Sequence, residues 1–389
     1  MHVLTLTPFY PTAADDAAGC FIAESARELE RQGIESSVIA VHPLHRTHAS
    51  ADGNAPGAHW QSYFSFPGNA GLSSAGWFLH SALKSRVKKL HARQPIHLIH
   101  AHAALPCGQA AMLLAADLGI PFVVTVHGLD AFATRQVPGW FGRRCAKASA
   151  KVYHAAARVI CISEHVAQRV RGGFEAGIED GFGNAAQTSV VYNGVDPSLF
   201  RPSVPGNSAA AEILSVGNLI PIKGHELLLR AVAAIAPKHP ELQCKIIGDG
   251  PERARLQDLA RTLRIHDRVH FLGRKPRSEV AVAMRTCTLF ALPSWYEGLG
   301  CVYLEAMAAE RPVIACRGQG IEEIIRHGEN GWLIEAQNLG DLTAALDTLL
   351  SDVSLRDQLG RTARQTILRS HTLAHQATQL ASLYRELLS

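Results

Sequence analysis

Short runs of apolar, often β-branched residues alternate along this chain with longer segments in which apolar residues recur every three or four positions. The short runs are typical of buried strands, and the longer segments are typical of amphipathic helices. Their regular alternation predicts a doubly wound α/β architecture, in which helices cover parallel sheets. The predicted strands are 3–7, 36–41, 96–100, 122–126, 159–163, 189–192, 212–216, 243–247, 269–272, 289–292, 312–315 and 332–334, and predicted helical segments include 21–32, 108–117 and 164–170.

One segment, residues 196–211, interrupts both periodicities with prolines, serines and a glycine, as a linker would. We therefore place a boundary near Pro202, between an N-terminal Rossmann-like domain over 1–201 and a second one over 202–370. The last helix, within 371–389, is predicted to pack back on the first domain. Two such domains facing each other would bind ligands in the cleft beside the carboxyl ends of their strands.

Composition narrows the functional classes. The 389 residues carry 38 Lys plus Arg against 34 Asp plus Glu, a net charge of +4, so nucleic acid is not an expected partner. We find no apolar run of the length that a membrane span needs, and the opening strand pattern does not resemble a secretory signal. The eight cysteines are scattered without a CxxC pair, as expected of thiols in a reducing cytoplasm.

The segment 293–305, PSWYEGLGCVYLE, carries the strongest chemical signal. A predicted strand leads into a glycine-rich loop, and a helix begins near Cys301. The N–H groups of Leu299, Gly300 and Cys301 would be unsatisfied at that helix start, and together with the helix dipole they would suit a phosphate. Gly298 and Gly300 would let the ligand approach the backbone.

Two carboxylates and a lysine would complete such a site. Glu297 precedes the loop and Glu305 lies one turn into the helix, where each would accept hydrogen bonds from hydroxyls of a sugar or ribose. Alternatively, Glu297 is a turn residue and Glu305 a solvated helix position. Another strand ends before Gly217, and its loop presents Lys223 just before a helix. A cation is disfavoured there unless it meets an anion, such as a diphosphate.

At these residues the chain resembles the retaining glycosyltransferases of family 4, which have the GT-B fold. The resemblance rests on a motif of two glutamates separated by seven residues, here Glu297 and Glu305, and on a lysine downstream of a strand-ending glycine. Further matching segments, in family order along nearly the whole chain, are VTVHGLD at 124–130, CISEHV at 161–166, VVYNGVDPSLFRP at 190–202 and IIGDGPERARL at 246–256.

The resemblance implies roles for these residues. Glu305 would hold the ribose hydroxyls, Glu297 would bind hydroxyls of the donor sugar, and Lys223 would stabilise the leaving diphosphate. One position departs from the family, because Asn218 stands where an Arg usually pairs with the lysine. Either Lys223 and the helix N-terminus suffice for the diphosphate, or a basic residue elsewhere, such as Arg274, supplies the charge.

In the first domain the resemblance points to Gly19, His127 and Asp130. The backbone of Gly19 would face the diphosphate or the transferred sugar, unless this glycine only serves close packing. His127 stands where the family has a histidine close to the transferred sugar, and Asp130 follows on the same loop. The predicted donor-binding residues are Gly19, Gly217, Asn218, Lys223, Arg274, Glu297, Gly298, Leu299, Gly300 and Glu305; the acceptor-binding residues are His127 and Asp130; the catalytic residues are His127, Lys223 and Glu297.

No metal or other cofactor is predicted. His97, His100 and His102 are close in sequence, but on a strand His97 faces away from the other two, and no carboxylate or cysteine lies near them. The sequence also lacks the Asp, one residue, Asp motif by which another glycosyltransferase class holds a divalent metal.

Positive charge is concentrated in residues 81–171, which carry 13 Lys or Arg against 3 Asp or Glu, a net charge of +10. Part of this excess fits a solvated helix face. Two segments, WFLHSALKSRVKKL and WFGRRCAKASAKV, also combine aromatic residues with cations, which suits contact with anionic lipid headgroups.

These inferences predict a retaining, metal-independent glycosyltransferase that moves a hexose-type sugar from a UDP- or GDP-linked donor to a hydroxyl of a glycan or lipid-linked saccharide. The resemblance favours bacterial surface polysaccharide or glycolipid synthesis by a cytoplasmic enzyme, peripheral to the membrane. Two alternatives remain: a nucleotide-sugar epimerase of the same fold, and a non-catalytic partner that binds a sugar nucleotide.

Overall fold

The computed structural model describes residues 1–13, 15–45, 57–66, 71–128, 139–172, 187–202 and 211–389. The chain divides into two compact units: a first unit formed by Met1–Tyr192 with Leu373–Ser389, and a second unit formed by Asn193–Thr372. In chain order, the elements are β1 (His2–Thr7), α1 (Cys20–Arg31), β2 (Glu35–Pro43), β3 (His59–Tyr63), α2 (Leu72–Arg93), β4 (Leu98–His102), α3 (Gln109–Leu118), β5 (Phe122–Val126), α4 (Gly139–Ala155), β6 (Arg158–Cys161), α5 (Glu164–Arg171), β7 (Thr188–Val190), β8 (Glu212–Val216), α6 (His225–Ile235), β9 (Gln243–Ile247), α7 (Arg253–Thr262), β10 (Val269–Phe271), α8 (Arg277–Thr286), β11 (Leu289–Ala291), α9 (Cys301–Ala308), β12 (Val313–Cys316), β13 (Trp332–Ile334), α10 (Leu339–Ser351), α11 (Val353–Ser370) and α12 (Leu373–Leu388).

The first unit is built on a parallel sheet with the strand order β3-β2-β1-β4-β5-β6-β7. Every residue of β1, β4 and β5 is buried, which the centre of a parallel sheet requires because helices cover both of its faces. The chain order reverses between β1 and β4. The carboxyl ends of these two strands therefore form the switch point of the sheet, where α/β proteins bind ligands.

The second unit holds a parallel sheet with the order β10-β9-β8-β11-β12-β13. Its core is closed by helices whose aliphatic side chains pack on the strands, among them Leu228 and Val232 on α6, Leu256 on α7 and Leu346 on α10. The order reverses between β8 and β11, which gives this sheet its own switch point. The predicted α/β class, with two parallel sheets of Rossmann-like type, is confirmed.

The sequence pattern misses β3, the edge strand HWQSY of the first sheet. Only Tyr63 is buried in it, so this strand has neither the apolar run nor the alternation that marks the others. The predicted strand 96–100 is also displaced, because β4 covers Leu98–His102. His97 is therefore outside the strand, where its Nδ1 accepts a hydrogen bond from the His2 N–H at 3.0 Å.

Helix α12 completes the first unit after the chain has passed through the second. Its residues Ala377, Leu380 and Tyr384 are buried in one cluster with Leu98 and Val123 of the first sheet. The last helix therefore belongs to the hydrophobic core of the first unit.

Candidate active-site residues

Two loops of the second unit carry the predicted donor-binding residues, and both begin at its switch point. The loop after β8 contains Gly217, Asn218 and Lys223, and the loop after β11 contains residues 297–300. Strands β8 and β11 are parallel neighbours, so their carboxyl ends lie at the same edge of the sheet. The structure thus brings the lysine next to the glycine-rich loop.

Backbone contacts fix the two loops to each other. The N–H of Trp295 donates to the carbonyl of Ile222 at 3.1 Å, and the hydroxyl of Ser294 donates to the same carbonyl at 3.0 Å. Gly224 has a φ of +73°, and a Cβ there would lie 2.2 Å from the carbonyl oxygen of Pro293. Glycine is the residue that accepts both this φ and this close approach, and it allows the two loops to pack as one body.

Lys223 and Glu297 form an ion pair between these loops, from Nζ to Oε1. The side chains are only 17% and 13% exposed, so solvent screens their attraction less than it would at an open surface. The N–H of Glu297 donates to Gln319 Oε1 at 2.9 Å, which fixes the backbone at the carboxylate. A phosphate would compete with Glu297 for the ammonium group, while the carboxylate would accept hydrogen bonds from hydroxyls.

The glycine-rich loop ends at Gly300, which has a φ of +84° and directly precedes α9. Among the described residues no side chain caps this helix, and its first N–H groups with the helix dipole can bind an anion. Leu299 is fully buried, and the hydroxyl of Tyr303 donates to the carbonyl of Leu292 at 2.7 Å. The burial of Leu299 and the hydrogen bond of Tyr303 fix the start of the helix beside the end of β11.

Glu305 lies inside the protein. The residue is 5% exposed, so its interpretation as a solvated helix position is wrong. Its Oε1 accepts a hydrogen bond from Arg277 Nη1 at 2.7 Å. Burial raises the pKa of Glu305, and the positive charge of Arg277 opposes that rise.

The remaining predicted residues of the second unit lie at the same sheet edge. A Cβ at Gly217 would make an ordinary van der Waals contact with Leu292, at 3.7 Å, so packing does not require a glycine there. Asn218 and Arg274 are both exposed. Arg274 follows β10, which is two strands from β8, a separation of about 10 Å at the usual spacing. Of the cations named in the sequence analysis, Lys223 is therefore the one beside the glycine-rich loop.

His225 lies directly after the lysine turn, as the first residue of α6, and is 2% exposed. Its Nδ1 lies 3.5 Å from Ser215 Oγ, and its Nε2 has no hydrogen-bond partner within the described ranges. Burial and the charge of Lys223 lower the pKa of His225 to about 4, against an opposing effect of the backbone at Asn218 and Gly217. This imidazole is neutral at pH 7.

In the first unit, Gly19 directly precedes α1, and the start of this helix lies beside His127. Gly19 has a φ of +68°, and a Cβ there would lie 2.4 Å from the carbonyl carbon of Phe9, so packing alone requires a glycine. The ring of Phe21, at the start of α1, lies 5.0 Å from the ring of His127, which directly follows β5. Asp130 is outside the described residues.

The half-buried His127 is linked to two buried histidines, His102 and His100. Its Nε2 lies 2.9 Å from His102 Nδ1, and the His102 ring stacks on that of His100 at 4.4 Å. His100 in turn bonds to Thr125 Oγ1 and Tyr384 Oη, each at 2.6 Å. Burial lowers the pKa of His100 to about 3, that of His127 to about 4 and that of His102 well below 6.5. All three are neutral at pH 7, so these contacts orient His127.

Helices α2 and α4 pack side by side in the first unit and expose aromatic side chains: Trp77 and Phe78 on α2, and Trp140 and Phe141 on α4. The guanidinium of Arg144 lies 4.7 Å over the Trp140 ring, and Arg143, Lys147, Lys88 and Lys89 are exposed on the same two helices. We call this the aromatic–cationic surface. In the part of the chain that the structure describes, no helix has the length and apolarity to cross a membrane.

Within the described ranges, no three His, Cys, Asp or Glu side chains are grouped as a metal site would need. All eight cysteines are described, and none of them forms a disulfide bond.

The roles of two residues that organise these sites, Arg277 and His102, are not indicated by the sequence pattern. Arg277 reaches Glu305 from another helix, and no motif marks it. His102 meets His127 because β4 and β5 are neighbours, and pairing those two predicted strands in the sheet would have indicated the contact. Gly224 carried a visible signal, since it stands between a lysine and a helix start.

Comparisons with known proteins identify the family of both units. Residues 18–199 match the model of Glycosyltransferase Family 4, and residues 200–366 match that of Glycosyl transferases group 1. An uncharacterised glycosyltransferase of Methanocaldococcus jannaschii is 31% identical over 279 residues, which cover 72% of each chain.

Solved structures share the fold. Sucrose-phosphate synthase from Thermosynechococcus elongatus gives a TM-score of 0.79 at 22% identity, over 100% of this chain and 99% of that one. The Anabaena protein HepE, in complex with UDP-glucose, gives 0.75 at 20% identity, over 99% of this chain and 100% of that one. With the matches along both units, these likenesses show that the chain belongs to the family 4 glycosyltransferases and has the GT-B fold.

Proposed function

We propose that this glycosyltransferase is a retaining, metal-independent enzyme that transfers a hexose-type sugar from a UDP- or GDP-linked donor to a hydroxyl of a glycan or lipid-linked saccharide. The observation that carries the proposal is the pairing of Lys223 with Glu297 beside the uncapped N-terminus of α9. It places a cation, a carboxylate and backbone N–H groups within one site, which matches the diphosphate and the sugar hydroxyls of such a donor.

The chemistry proposed for this site is mainly electrostatic. When the bond between sugar and diphosphate breaks, negative charge grows on the leaving phosphate, and Lys223 with the helix N-terminus would stabilise it. These groups supply positive charge without a metal ion, which is the basis for proposing metal independence. Glu297 is assigned to the sugar hydroxyls and not to a nucleophilic role. In the first unit, the neutral imidazole of His127 would offer a hydrogen bond to the transferred sugar.

Known structures guide the choice of donor to test. HepE is described in complex with UDP-glucose, and curated relatives include D-inositol 3-phosphate glycosyltransferases. We place the reaction in bacterial surface polysaccharide or glycolipid synthesis in the cytoplasm, as the family resemblance favours.

A thermal-shift panel of UDP-, GDP- and ADP-linked sugars, each with and without Mg²⁺, tests the donor site. We expect nucleotide sugars that carry one particular base to raise the melting temperature by a few degrees at millimolar concentration, equally with and without Mg²⁺. A ligand that binds only the folded state stabilises that state by mass action. No shift from any sugar would contradict the donor site, and a shift only with Mg²⁺ would contradict metal independence.

Incubation of the protein with the selected donor, with and without an acceptor, distinguishes sugar transfer from the two alternative functions. Transfer that requires an acceptor supports the proposal, and NMR of the product would show whether the anomeric configuration is retained. An isomerised nucleotide sugar formed without acceptor would indicate an epimerase. Binding of the donor without turnover, across a range of acceptors, would indicate a non-catalytic partner.

We also propose that the aromatic–cationic surface binds anionic membranes. Trp and Phe insert at the headgroup level while nearby Lys and Arg attract anionic lipids, and α2 and α4 expose both kinds of side chain together. In flotation at low salt, the protein is expected to float with phosphatidylglycerol-containing vesicles and not with phosphatidylcholine alone. A Trp77→Ser, Trp140→Ser double variant should lose this binding. If the native protein did not bind the phosphatidylglycerol-containing vesicles, the proposal would be contradicted.

A further inference from the structure

Arg277 occupies a position that its own helix disfavours. It is the first residue of α8, where the helix dipole destabilises a cation. The side chain is only 14% exposed, and its guanidinium lies 5.1 Å over the ring of the fully buried Phe200. The hydrogen bond from its Nη1 to Glu305 Oε1, at 2.7 Å, helps to offset the cost of placing a cation there.

We infer that Arg277 is a positioning residue for ribose recognition: it keeps the Glu305 carboxylate ionised and oriented to accept hydrogen bonds from the ribose hydroxyls of the donor. This inference rests on the proposed function, which assigns ribose to Glu305. Arg277 binds Oε1, and an ionised carboxylate has a second oxygen and further lone pairs for hydroxyl donors. The stacking on Phe200 fixes the guanidinium, and the guanidinium in turn fixes the carboxylate.

The other ionisable groups that the structure describes near Glu305 do not take over this role. Burial raises the pKa of Cys301, on the same helix, to about 12, and Glu297, on the loop before it, is the carboxylate paired with Lys223, so neither supplies positive charge. Helix α11 also packs on α9, but its Arg364 donates to the carbonyl of Ala308, the last residue of that helix. Without Arg277, burial would raise the pKa of Glu305 further, so the carboxyl group would keep its proton to a higher pH than it does in the native protein.

Binding of UDP and 2′-deoxy-UDP, measured by calorimetry between pH 6.5 and 9, tests this role; GDP and 2′-deoxy-GDP replace them if the panel selects guanine. The native protein is expected to prefer the ribonucleotide about tenfold, since the deoxy ligand leaves a carboxylate oxygen unpaired. In Arg277→Met this preference should be weakest at the lowest pH measured and increase as the pH rises. A merely structural role would weaken both ligands equally and leave their ratio unchanged.

Two further variants sharpen the experiment. Arg230→Met removes an exposed arginine of the same unit that pairs with Glu226, and it should keep the native ratio. Arg277→Lys keeps the charge without the planar guanidinium, so an intermediate ratio without the new pH dependence is expected, even if Arg277→Met does not fold. A native ratio in either Arg277 variant at every pH overturns the inference. Failure of the native protein to bind UDP or GDP overturns the proposed function, and the inference with it.

Discussion

Replacing Lys223 with alanine is expected to lower kcat/KM for sugar transfer by about 10²–10³-fold, the usual effect of removing one group that stabilises charge in a transition state. The structure supplies the reason, because the ammonium group lies at the switch point of the second sheet, against Glu297 and beside the start of α9. Asn218 adds no charge there, and Arg274 follows β10, which is two strands away from β8. Initial rates with the donor selected by thermal shift would measure the effect.

The matched control is Lys238→Ala. Lys238 also pairs with a carboxylate of the second unit, Asp347 at 2.7 Å, but on an exposed surface, where such a pair contributes about 0–1 kcal/mol. Its activity should be unchanged. Lys223→Ala leaves the half-buried Glu297 without this cation, so its folding must be verified by circular dichroism. A folded Lys223→Ala enzyme with full activity would contradict the assigned role of the lysine.

Acid is expected to destabilise the protein strongly between pH 6.5 and pH 4. Burial lowers the pKa of His127 and of His225 to about 4 and that of His100 to about 3, against about 6.5 in an unfolded chain. The unfolded chain therefore binds more protons than the folded protein in this window. The free energy of unfolding consequently decreases as the pH is lowered. One imidazole with a pKa of about 4 accounts for about 2 kcal/mol at pH 5 by this linkage.

The loss should begin in the first unit, which contains His100, His102 and His127, whereas the second contains His225. Hydrogen exchange with mass spectrometry at pH 7.5 and pH 5 would locate it, and denaturant unfolding would measure its size. His225→Leu should reduce the pH dependence of the second unit, and the exposed His266→Gln should not. Equal stability of the native protein at pH 7.5 and pH 5 would refute the expectation.

Sequence alone predicts the architecture because buried parallel strands leave a strong imprint. After its first residue, His2, β1 (HVLTLT) contains only Val, Leu and Thr, and it is buried throughout, whereas the edge strand HWQSY buries only Tyr63 and leaves no comparable signal. The loop at 297–300 is also marked locally, because its glycines stand between a predicted strand and a predicted helix start. Local pattern therefore finds central strands and loops that follow them.

Contacts between distant segments are harder to predict. Whether Glu305 is solvated or buried depends on Arg277, which is 28 residues away and belongs to another helix. The link from His127 to His102 depends on which strands are neighbours. Periodicity gives the face of an element but not its partner across the sheet, so these side-chain relations required the three-dimensional structure.

The return of α12 to the first sheet has a consequence for biosynthesis. Domains usually fold in the order in which they leave the ribosome, but here Leu98 and Val123 obtain part of their apolar cover from Leu380 and Tyr384. The second unit, Asn193–Thr372, is continuous in sequence and is fully synthesised before α12 exists. Part of the apolar face of the nascent first sheet therefore stays exposed while the second unit is synthesised and folds. We expect chaperones to bind the nascent chain most strongly during that interval.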